Sequence, residues 1–318
     1  MTPYDPSLPA RMRVVEVGPR DGLQNLSAPV PTAAKIALID RLSPLGFDRI
    51  EAVAFVSPRA VPQMADAAAV MAGIRRHPAA RYVALVPNRM GTARSLDAGV
   101  DLLNFVCSAT ESFNQANLNQ SIDASLAALA ESMPLAQAAG VPMRLTLSTS
   151  FGCPYEGYVD PARVLDIARR AADLGCDEIC LGDTTGMANP RQVYHLFERL
   201  IATLPDVTPA VHLHNTRGSG AANLIAALQA GVTVFDSSLG GLGGCPYAPG
   251  ATGNVASEDM VHMLHEMDVE TGVDLHGLIK VARDFERTLG QTLPGQVMRA
   301  GEAYAFSCRL PHAAKVGS

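Results

Sequence analysis

The stretch that decides the fold is DPARVLDIARRAADLGCDEICLGD, residues 160–183. Asp160 followed by Pro161 is a typical helix start, because an aspartate can cap free N–H groups and proline fits the first turn. Apolar residues then recur at helical spacing until Gly175, a residue type that readily takes the left-handed conformation ending a helix. The short apolar run Glu178–Leu181 follows at once. The stretch therefore predicts one helix followed closely by one buried strand.

The same unit recurs along the chain. Strands are predicted at Arg13–Val17, Arg49–Phe55, Tyr82–Val86, Leu102–Val106, Met143–Leu147, Glu178–Leu181, Ala210–His214 and Thr233–Asp236. Helices are predicted near 32–45, 63–76, 91–98, 121–139, 161–174, 190–203, 219–230 and 257–266. Eight strand–helix units in series favour parallel strands with right-handed crossovers. The expected fold is α/β, a (β/α)8 TIM barrel, with an open doubly wound sheet as the alternative.

The domain organisation follows from length and from the ends of the helices. A chain of 318 residues suits one barrel, and no stretch reads as an interdomain linker. We expect a single domain over residues 1–318, with the barrel at about 11–266. A C-terminal helical extension at about 267–318 should pack on the barrel or on a second subunit. Five glycines stand where helices should end, namely Gly46, Gly99, Gly140, Gly175 and Gly231.

Composition narrows the class of partner. The formal net charge is −6 and no long basic run occurs, so a nucleic-acid partner is not expected. No apolar run reaches the roughly 18 residues that span a membrane, so no membrane partner is expected either. The N-terminal residues lack the pattern of a signal or transit peptide, which predicts a cytoplasmic protein. The six cysteines form no C-x-x-C pair and are expected to be reduced thiols.

Polar residues crowd the predicted carboxyl ends of the first two strands. The turn VEVGPRDGLQN, residues 15–25, contains Arg20 and Asp21, and Glu51 lies inside the second strand. In a barrel of this kind, catalytic groups come from these strand ends and the loops after them. A buried carboxylate needs a partner, so Glu51 is expected to pair, with Arg20 as the candidate. A solvated turn and a purely structural ion pair are the alternative interpretations.

The seventh strand carries the most specific signal. His212 and His214 are two residues apart, so both side chains point to one face of a strand, which in a barrel is the interior. Two neighbouring imidazoles suit a divalent metal. Asp183 ends the sixth strand, where it could serve the site or only cap the next helix. One aspartate, two histidines and an amide oxygen, the last from Asn254 after the eighth strand, would form a mixed oxygen and nitrogen site. Such ligands favour Mg²⁺ or Mn²⁺, with Zn²⁺ left open.

The loop after the eighth strand reads GGLGGCPYAPGATGN, residues 240–254. It has neither the Walker A spacing nor the G-x-G-x-x-G spacing of phosphate-binding loops. Two prolines stiffen it, so we interpret it as a shaped, mobile loop that can bring Cys245 over the barrel mouth. An inert cysteine is the alternative. Asn254 could cap the next helix or reach a metal.

These motifs together resemble the 3-hydroxy-3-methylglutaryl-CoA (HMG-CoA) lyase family. The motifs that carry the resemblance are VEVGPRDGLQN, FVSP (55–58), GCPYEG (152–157), LGDT (181–184), HLHNT (212–216) and GLGGCPYAPGATGNVASED (241–259). They occur in order over about residues 11–290. Isopropylmalate and homocitrate synthases share the Arg-Asp-Gly turn and the His-x-His strand but lack the cysteine loop.

The resemblance implies a role for each candidate residue. The divalent-metal ligands would be Asp21, His212, His214 and Asn254. Arg20 would stabilise the enolate oxygen, Asp21 or His212 would take the hydroxyl proton, and Cys245 would protonate the departing acetyl-CoA carbanion. Asp183 and Glu51 would shape the site. The implied substrate is an acyl-CoA and the implied assembly is a homodimer.

The expected reaction is cleavage of HMG-CoA to acetyl-CoA and acetoacetate. Asn215, Arg217 and the strand RLTLSTSFG (144–152) depart from the usual family sequence, so a larger alkyl group at C3 of the substrate is an alternative. A condensing enzyme that joins acetyl-CoA to a 2-oxo acid is another. The third is a barrel that binds an acyl-CoA without chemistry. Cys245 argues against the second alternative and the full residue set against the third.

Overall fold

Eight parallel strands close into a barrel in the order in which they occur in the chain. The computed structural model describes residues 8–244 and 253–303. The strands are β1 Arg13–Glu16, β2 Arg49–Ala54, β3 Arg81–Val86, β4 Leu102–Ser108, β5 Met143–Ser148, β6 Glu178–Asp183, β7 Thr208–Leu213 and β8 Val234–Ser237. Val15 pairs with Arg49 of β2 on one side and with Asp236 of β8 on the other. The predicted TIM barrel is therefore confirmed, and the doubly wound alternative is wrong because an open sheet has two unpaired edges.

Helices alternate with the strands and cover the outside of the barrel. They are α1 Thr32–Leu42, α2 Ala67–Gly73, α3 Arg89–Asp97, α4 Glu111–Leu118, α5 Ile122–Ala139, α6 Pro161–Asp173, α7 Pro190–Thr203, α8 Gly220–Gln229, α9 Ser257–Glu266, α10 Leu275–Leu289 and α11 Val297–Ala300. The predicted cap of α6 is present, since the Asp160 side chain accepts from Ala162 N, and Asn189 forms a capping box with Gln192 at the start of α7. All five glycines predicted to end helices have positive φ.

Two predictions about helices need correction. The predicted helix near 63–76 is a short 3₁₀ turn, Pro62–Met64, followed by α2, since Pro62 begins a tight turn of its own. Helix α4 was not predicted. Its sequence, ESFNQANL, is rich in polar residues with modest helix propensity and carries few apolar residues at helical spacing.

The C-terminal extension contributes two helices within the described residues. Helix α10 packs against α1 and α9, so this part of the extension covers the barrel, as one of the two expected arrangements had it. No helix within residues 8–244 and 253–303 is long and apolar enough to cross a membrane.

The inside of the barrel is partly apolar and partly ionic. A small apolar cluster, separate from the main core, consists of Val15, Val17, Cys180, Ala210 and Val234. Beside it lie charged side chains that are almost fully buried, namely Arg49, Arg144, Glu178 and Asp236. Buried charges of this kind require partners, and the strands provide them across the barrel. The polar side chains continue from this layer to the carboxyl ends of the strands.

Candidate active site

A single π-helical turn, Gly18–Gly22, presents the first two site residues. The carbonyl of Val17 accepts from the N–H groups of Arg20 (3.1 Å), Asp21 (2.8 Å) and Gly22 (3.3 Å), which folds the chain tightly back after β1. Arg20 Nη1 donates to Asp21 Oδ1 at 2.7 Å. The turn therefore places a buried guanidinium and a carboxylate side by side at the carboxyl end of β1.

Glu51 is the partner of Arg20, as expected. Its Oε2 accepts from Arg20 Nε at 2.9 Å and from Nη2 at 2.6 Å, while its Oε1 accepts from Asn104 Nδ2 at 2.7 Å. Asn104 Oδ1 in turn accepts from the Thr146 hydroxyl at 2.7 Å. This chain of contacts across β2, β4 and β5 fixes the direction in which the guanidinium points.

His212 and His214 both point inward, which confirms the geometric prediction for the seventh strand. Their Nε2 atoms lie 3.1 Å apart. Asp21, His212 and His214 each offer a ligand atom, and these atoms lie within 4.8 Å of one another. The structure thus brings together three of the four predicted metal ligands.

Asn254, which lies between β8 and α9, completes the cluster. Its Nδ2 donates to Asp21 Oδ2 at 2.6 Å and to the carbonyl of Leu242 at 2.9 Å. The backbones of His214 and Asn254 form an isolated antiparallel bridge. Gly243 lies against this amide, and a Cβ there would come within 2.5 Å of Asn254 Nδ2, in a residue whose φ is +103°. Only glycine fits between the two loops without moving Asn254.

The donor set and its vacant hydrogen-bonding positions fit a divalent cation. Asn254 Oδ1 and His214 Nδ1 are buried and have no hydrogen-bond partner among the described residues. A buried amide oxygen without a donor is costly unless something else satisfies it. The 3.1 Å between the two Nε2 atoms matches the spacing of about 3 Å between adjacent ligand atoms around one ion with bonds near 2.1 Å. Two nitrogens and two oxygens are compatible with Mg²⁺, Mn²⁺ or Zn²⁺.

The pKa values of two side chains in the cluster differ strongly from those of the same groups in water. Burial raises the pKa of Asp21, but the Arg20 guanidinium and the two imidazoles outweigh it and lower that pKa to about 2. Burial and the neighbouring His212 lower the pKa of His214 to about 3. A metal ligand must be deprotonated, so the carboxylate of Asp21 and the neutral imidazole of His214 are in the forms that bind.

Asp236 is a site residue that the sequence analysis missed. It lies at the end of β8, and its Oδ2 is 3.3 Å from His212 Nδ1. Burial lowers the pKa of His212, but the hydrogen bond to Asp236 and the negative charges of Asp21 and Asp236 together outweigh it, and the net shift is upward. Arg144, Asn104 and Thr146 were also missed. The available signal was their position in strands, since Arg144 and Thr146 alternate on the inward face as Arg49 and Glu51 do.

The cluster opens into a cavity of ≈ 340 Å³ at the carboxyl ends of the strands. Its floor carries Arg20, Asp21, His212 and His214. Apolar side chains from the loops and strands on one side line its wall, including Val56, Leu85, Val106, Phe113 and Leu118. A polar floor with an apolar wall suits a ligand with a charged or oxygen-rich end and a less polar remainder.

Asp183 and the two departures of the seventh strand lie beside this cavity and do not line it. Asp183 Oδ1 accepts from Met187 N at 2.8 Å and Ala188 N at 3.1 Å, and burial raises its pKa to about 6. Arg217 Nη1 donates to the carbonyls of Thr185 and Gly186. Asn215 Oδ1 accepts from Gly220 N at 3.0 Å. These residues organise the loops around the site, whereas Thr146 and Ser148 of β5 line the cavity itself.

Cys245 lies outside the described residues, which end at Gly244 and resume at Gly253. Gly244 lines the cavity. The role predicted for Cys245 stays a prediction.

Fold and site together define a class of protein: a (β/α)8 barrel whose carboxyl-end cavity combines a buried arginine with a candidate metal centre. Comparison with family models gives a match to the family described as HMGL-like over residues 11–285. The chain belongs to the HMGL-like family, as the motifs indicated.

Three similar proteins illustrate the relationship. A mouse protein named 3-hydroxy-3-methylglutaryl-CoA lyase, cytoplasmic, is 43% identical over 305 residues, which cover 96% of this chain and 88% of the mouse protein. A Pseudomonas aeruginosa protein named 3-hydroxy-3-isohexenylglutaryl-CoA/hydroxymethylglutaryl-CoA lyase is 44% identical over 294 residues, 92% of this chain and 98% of that protein. An HMG-CoA lyase structure from Acinetobacter baumannii, in complex with coenzyme A and 3-methylmalate, superposes with a TM-score of 0.90 at 40% identity and covers 98% of this chain and 100% of that one.

Proposed function

We propose that this protein is a carbon–carbon lyase that cleaves HMG-CoA to acetyl-CoA and acetoacetate. The observation that carries the proposal is the placement of the Arg20 guanidinium 2.7 Å from Asp21, in the same cavity floor as the two facing imidazoles. Cleavage of this kind requires a group that activates a tertiary hydroxyl and a fixed cation for the negative charge that develops nearby. The relatives named as HMG-CoA lyases, at 43–44% identity, support the same assignment.

We assign the metal ligands to Asp21, His212, His214 and Asn254, with Mg²⁺ or Mn²⁺ as the ion. When bound, such an ion acts as a Lewis acid and lowers the pKa of the substrate hydroxyl. The chain's contribution is a donor set held in the binding-competent charge state, since Asp21 is ionised and His214 neutral at neutral pH.

The bond that breaks is C2–C3 of the acyl group. The hydroxyl on C3 gives up its proton to a neighbouring aspartate or histidine side chain, and C3 becomes the ketone carbon of acetoacetate. The electron pair of the broken bond moves onto C2 and the thioester carbonyl, where Arg20 stabilises the enolate oxygen. A proton delivered to C2 completes acetyl-CoA. Cys245 is the predicted donor of that proton.

Glu51 and Asp183 act through other groups in this proposal. Glu51 holds two nitrogens of Arg20 and is itself fixed by Asn104, so the guanidinium keeps its direction as charge develops. Asp183 fixes the loop after β6 through two backbone N–H groups.

Acetyl-CoA release tests the proposal. The protein with Mg²⁺ and HMG-CoA should release acetyl-CoA and acetoacetate in equal amounts, and excess EDTA should abolish the release until Mn²⁺ or Mg²⁺ is added back. Full activity in EDTA, with no metal in the protein, would contradict the metal assignment. Faster cleavage of an isohexenyl homologue would keep the chemistry and change the substrate. Inactivity on both, with condensation of acetyl-CoA and a 2-oxo acid, would overturn the lyase assignment.

The homodimer and the cytoplasmic location are part of the same proposal and rest on the sequence and its resemblance. The relatives include both cytoplasmic and mitochondrial forms. Light scattering during size-exclusion chromatography measures the mass of the particle, and a monomer there would contradict the dimer.

A further inference from the structure

Asp236 contacts the metal cluster through a single atom of His212. Its Oδ2 lies 3.3 Å from His212 Nδ1, and the opposite ring nitrogen, Nε2, faces His214 Nε2 at 3.1 Å. The contact follows from strand register, because His212 of β7 pairs directly with Asp236 of β8. Both residues lie on the inward face, where neighbouring strands bring paired side chains together.

Asp236 is itself held in one orientation from the opposite side. Arg144 Nη1 donates to Asp236 Oδ1 at 2.9 Å, and Arg144 Nη2 makes a short contact with Oδ2. Arg144 is fixed in turn by Thr146 Oγ1 at 3.1 Å and by Glu178 Oε1 at 3.3 Å. A bidentate guanidinium–carboxylate pair is rigid and keeps the carboxylate ionised. Asp236 therefore presents a fixed acceptor to the imidazole.

We propose that Asp236 is a positioning residue for metal binding: it holds the N–H of His212 on Nδ1 and leaves the Nε2 lone pair free for the ion. The inference rests on the metal site of the proposed function. A neutral imidazole carries one proton, and a carboxylate at Nδ1 decides which nitrogen keeps it. Without that acceptor, the proton can occupy Nε2 and must be removed before the ion binds. Nothing in the cluster besides Asp236 contacts His212 Nδ1 within the described residues.

The first test is the affinity of Mn²⁺ for the metal-free protein, measured near pH 8 by the EPR signal of free Mn²⁺. Asp236→Asn removes the negative charge, and its new N–H₂ group faces either His212 Nδ1 or Arg144 Nη1, so His212 no longer has an ionised acceptor held by two hydrogen bonds from Arg144. Affinity should fall roughly 10- to 100-fold, the usual effect of losing such a partner. The matched control is Glu178→Gln, which perturbs the same ion network through Arg144 and does not touch His212. It should stay within about twofold of the wild type.

Two results would overturn the inference: an Asp236→Asn affinity within about twofold of the wild type, or an equal loss in Glu178→Gln. A second measurement needs no variant at Asp236 and remains decisive where that variant does not fold. In protein labelled with ¹⁵N-histidine, the NMR shifts of the two His212 ring nitrogens show which of them carries the proton. The His212 signals are assigned because they disappear in His212→Gln. A proton on Nδ1 with a bare Nε2 supports the inference, and a bare Nδ1 or a protonated Nε2 contradicts it. Wild-type protein that binds no Mn²⁺ would contradict the metal site. The ¹⁵N spectrum of the metal-free protein would still show whether Asp236 holds the proton of His212 on Nδ1.

Discussion

At the scale of single residues, Arg20 is the group on which the proposed chemistry depends most. It is 7% exposed and shares its donors between Glu51 and Asp21, so its position is fixed before any substrate arrives. A cation fixed in advance stabilises developing charge without reorganising. The sequence showed that Arg20 and Glu51 could pair, because a lone carboxylate inside a strand needs a cation.

Arg20→Gln should lower kcat by roughly 10²- to 10³-fold or more, since it removes the donor of the enolate oxygen. Steady-state kinetics of acetyl-CoA release measure the effect. Arg41→Gln is the matched control, because Arg41 pairs with Asp284 at the exposed surface and should leave kcat unchanged. Near-normal turnover in a folded Arg20→Gln would remove the residue from the mechanism.

Gly243 gives a second prediction at this scale. Gly243→Ala should weaken Mn²⁺ binding by roughly tenfold, because the new Cβ would come within 2.5 Å of Asn254 Nδ2 and displace the amide. Calorimetric titration with Mn²⁺ measures this. Gly244→Ala is the control, since a Cβ at Gly244 comes within 4 Å of nothing in residues 8–244 and 253–303. Equal affinities in the two variants would count against Asn254 as a ligand.

At the scale of elements, one buried carboxylate connects the loops that follow the first and the last strand of the barrel. Glu16 Oε1 accepts from Gly18 N at 2.7 Å and from Leu239 N at 2.8 Å, and its Oε2 accepts from Ser257 Oγ at 2.6 Å. These partners belong to the turn after β1, the turn after β8 and the start of α9. Glu16 thus sets the distance between the loop that carries Asp21 and the loops that flank Asn254.

Glu16→Ala should destabilise the protein by about 3 kcal/mol, because two buried N–H groups lose their acceptor. It should also weaken Mn²⁺ binding. Glu16→Gln keeps an oxygen for the N–H groups and an amide for Ser257, so its loss should stay below about 1 kcal/mol. Urea unfolding in EDTA measures the stability of both variants. If Glu16→Ala loses no more stability than Glu16→Gln, Glu16 does not join the loops.

Most elements were predictable because their signals are local. The capped start at Asp160 and the left-handed glycine after the helix are properties of a few consecutive residues, and both proved correct. Helix α4 lacks such signals, and it is followed by Asn119, a non-glycine C-cap residue at φ 55°. The alternation of His212 and His214 also revealed a local property, namely the face to which both side chains point.

At the scale of the whole molecule, the ionic interior is what the sequence could not specify. Arg49 donates to both oxygens of Glu178 at 3.1 and 2.8 Å, although the residues lie 129 positions apart. Inward parity marks such residues as candidates, but barrel closure and register decide which cation meets which carboxylate. Asp236 was missed for this reason: its partners, His212 and Arg144, come from β7 and β5.

Buried carboxyls also predict how stability depends on pH. Burial raises the pKa of Glu258 from 4.5 to about 8 and that of Glu16 to about 7. A raised carboxyl pKa means that the folded state keeps a proton which the unfolded chain has lost. The stability that Glu258 contributes is therefore full below pH 4.5 and is lost as pH rises to about 8.

Glu258→Gln should consequently gain stability relative to wild type as pH rises from about 5 to about 8, by about 1–3 kcal/mol. Urea unfolding in EDTA at both pH values gives the difference. Glu266→Gln, at an exposed position of the same helix, is the control and should show no such trend. A difference between Glu258→Gln and wild type that does not change with pH would show that Glu258 keeps no extra proton in the folded state.

The bridge between His214 and Asn254 has a consequence for synthesis on the ribosome. Asp21 is made early, the two histidines about two-thirds of the way along, and Asn254 only after β8. In a nascent chain that has emerged only through β7 and His214, strand β8 is missing and β1 has no partner on that side. Asp21, His212 and His214 are then not held together by a closed barrel. The site of this protein is thus absent for most of the time the chain is being made, and it forms when the last strand joins the first.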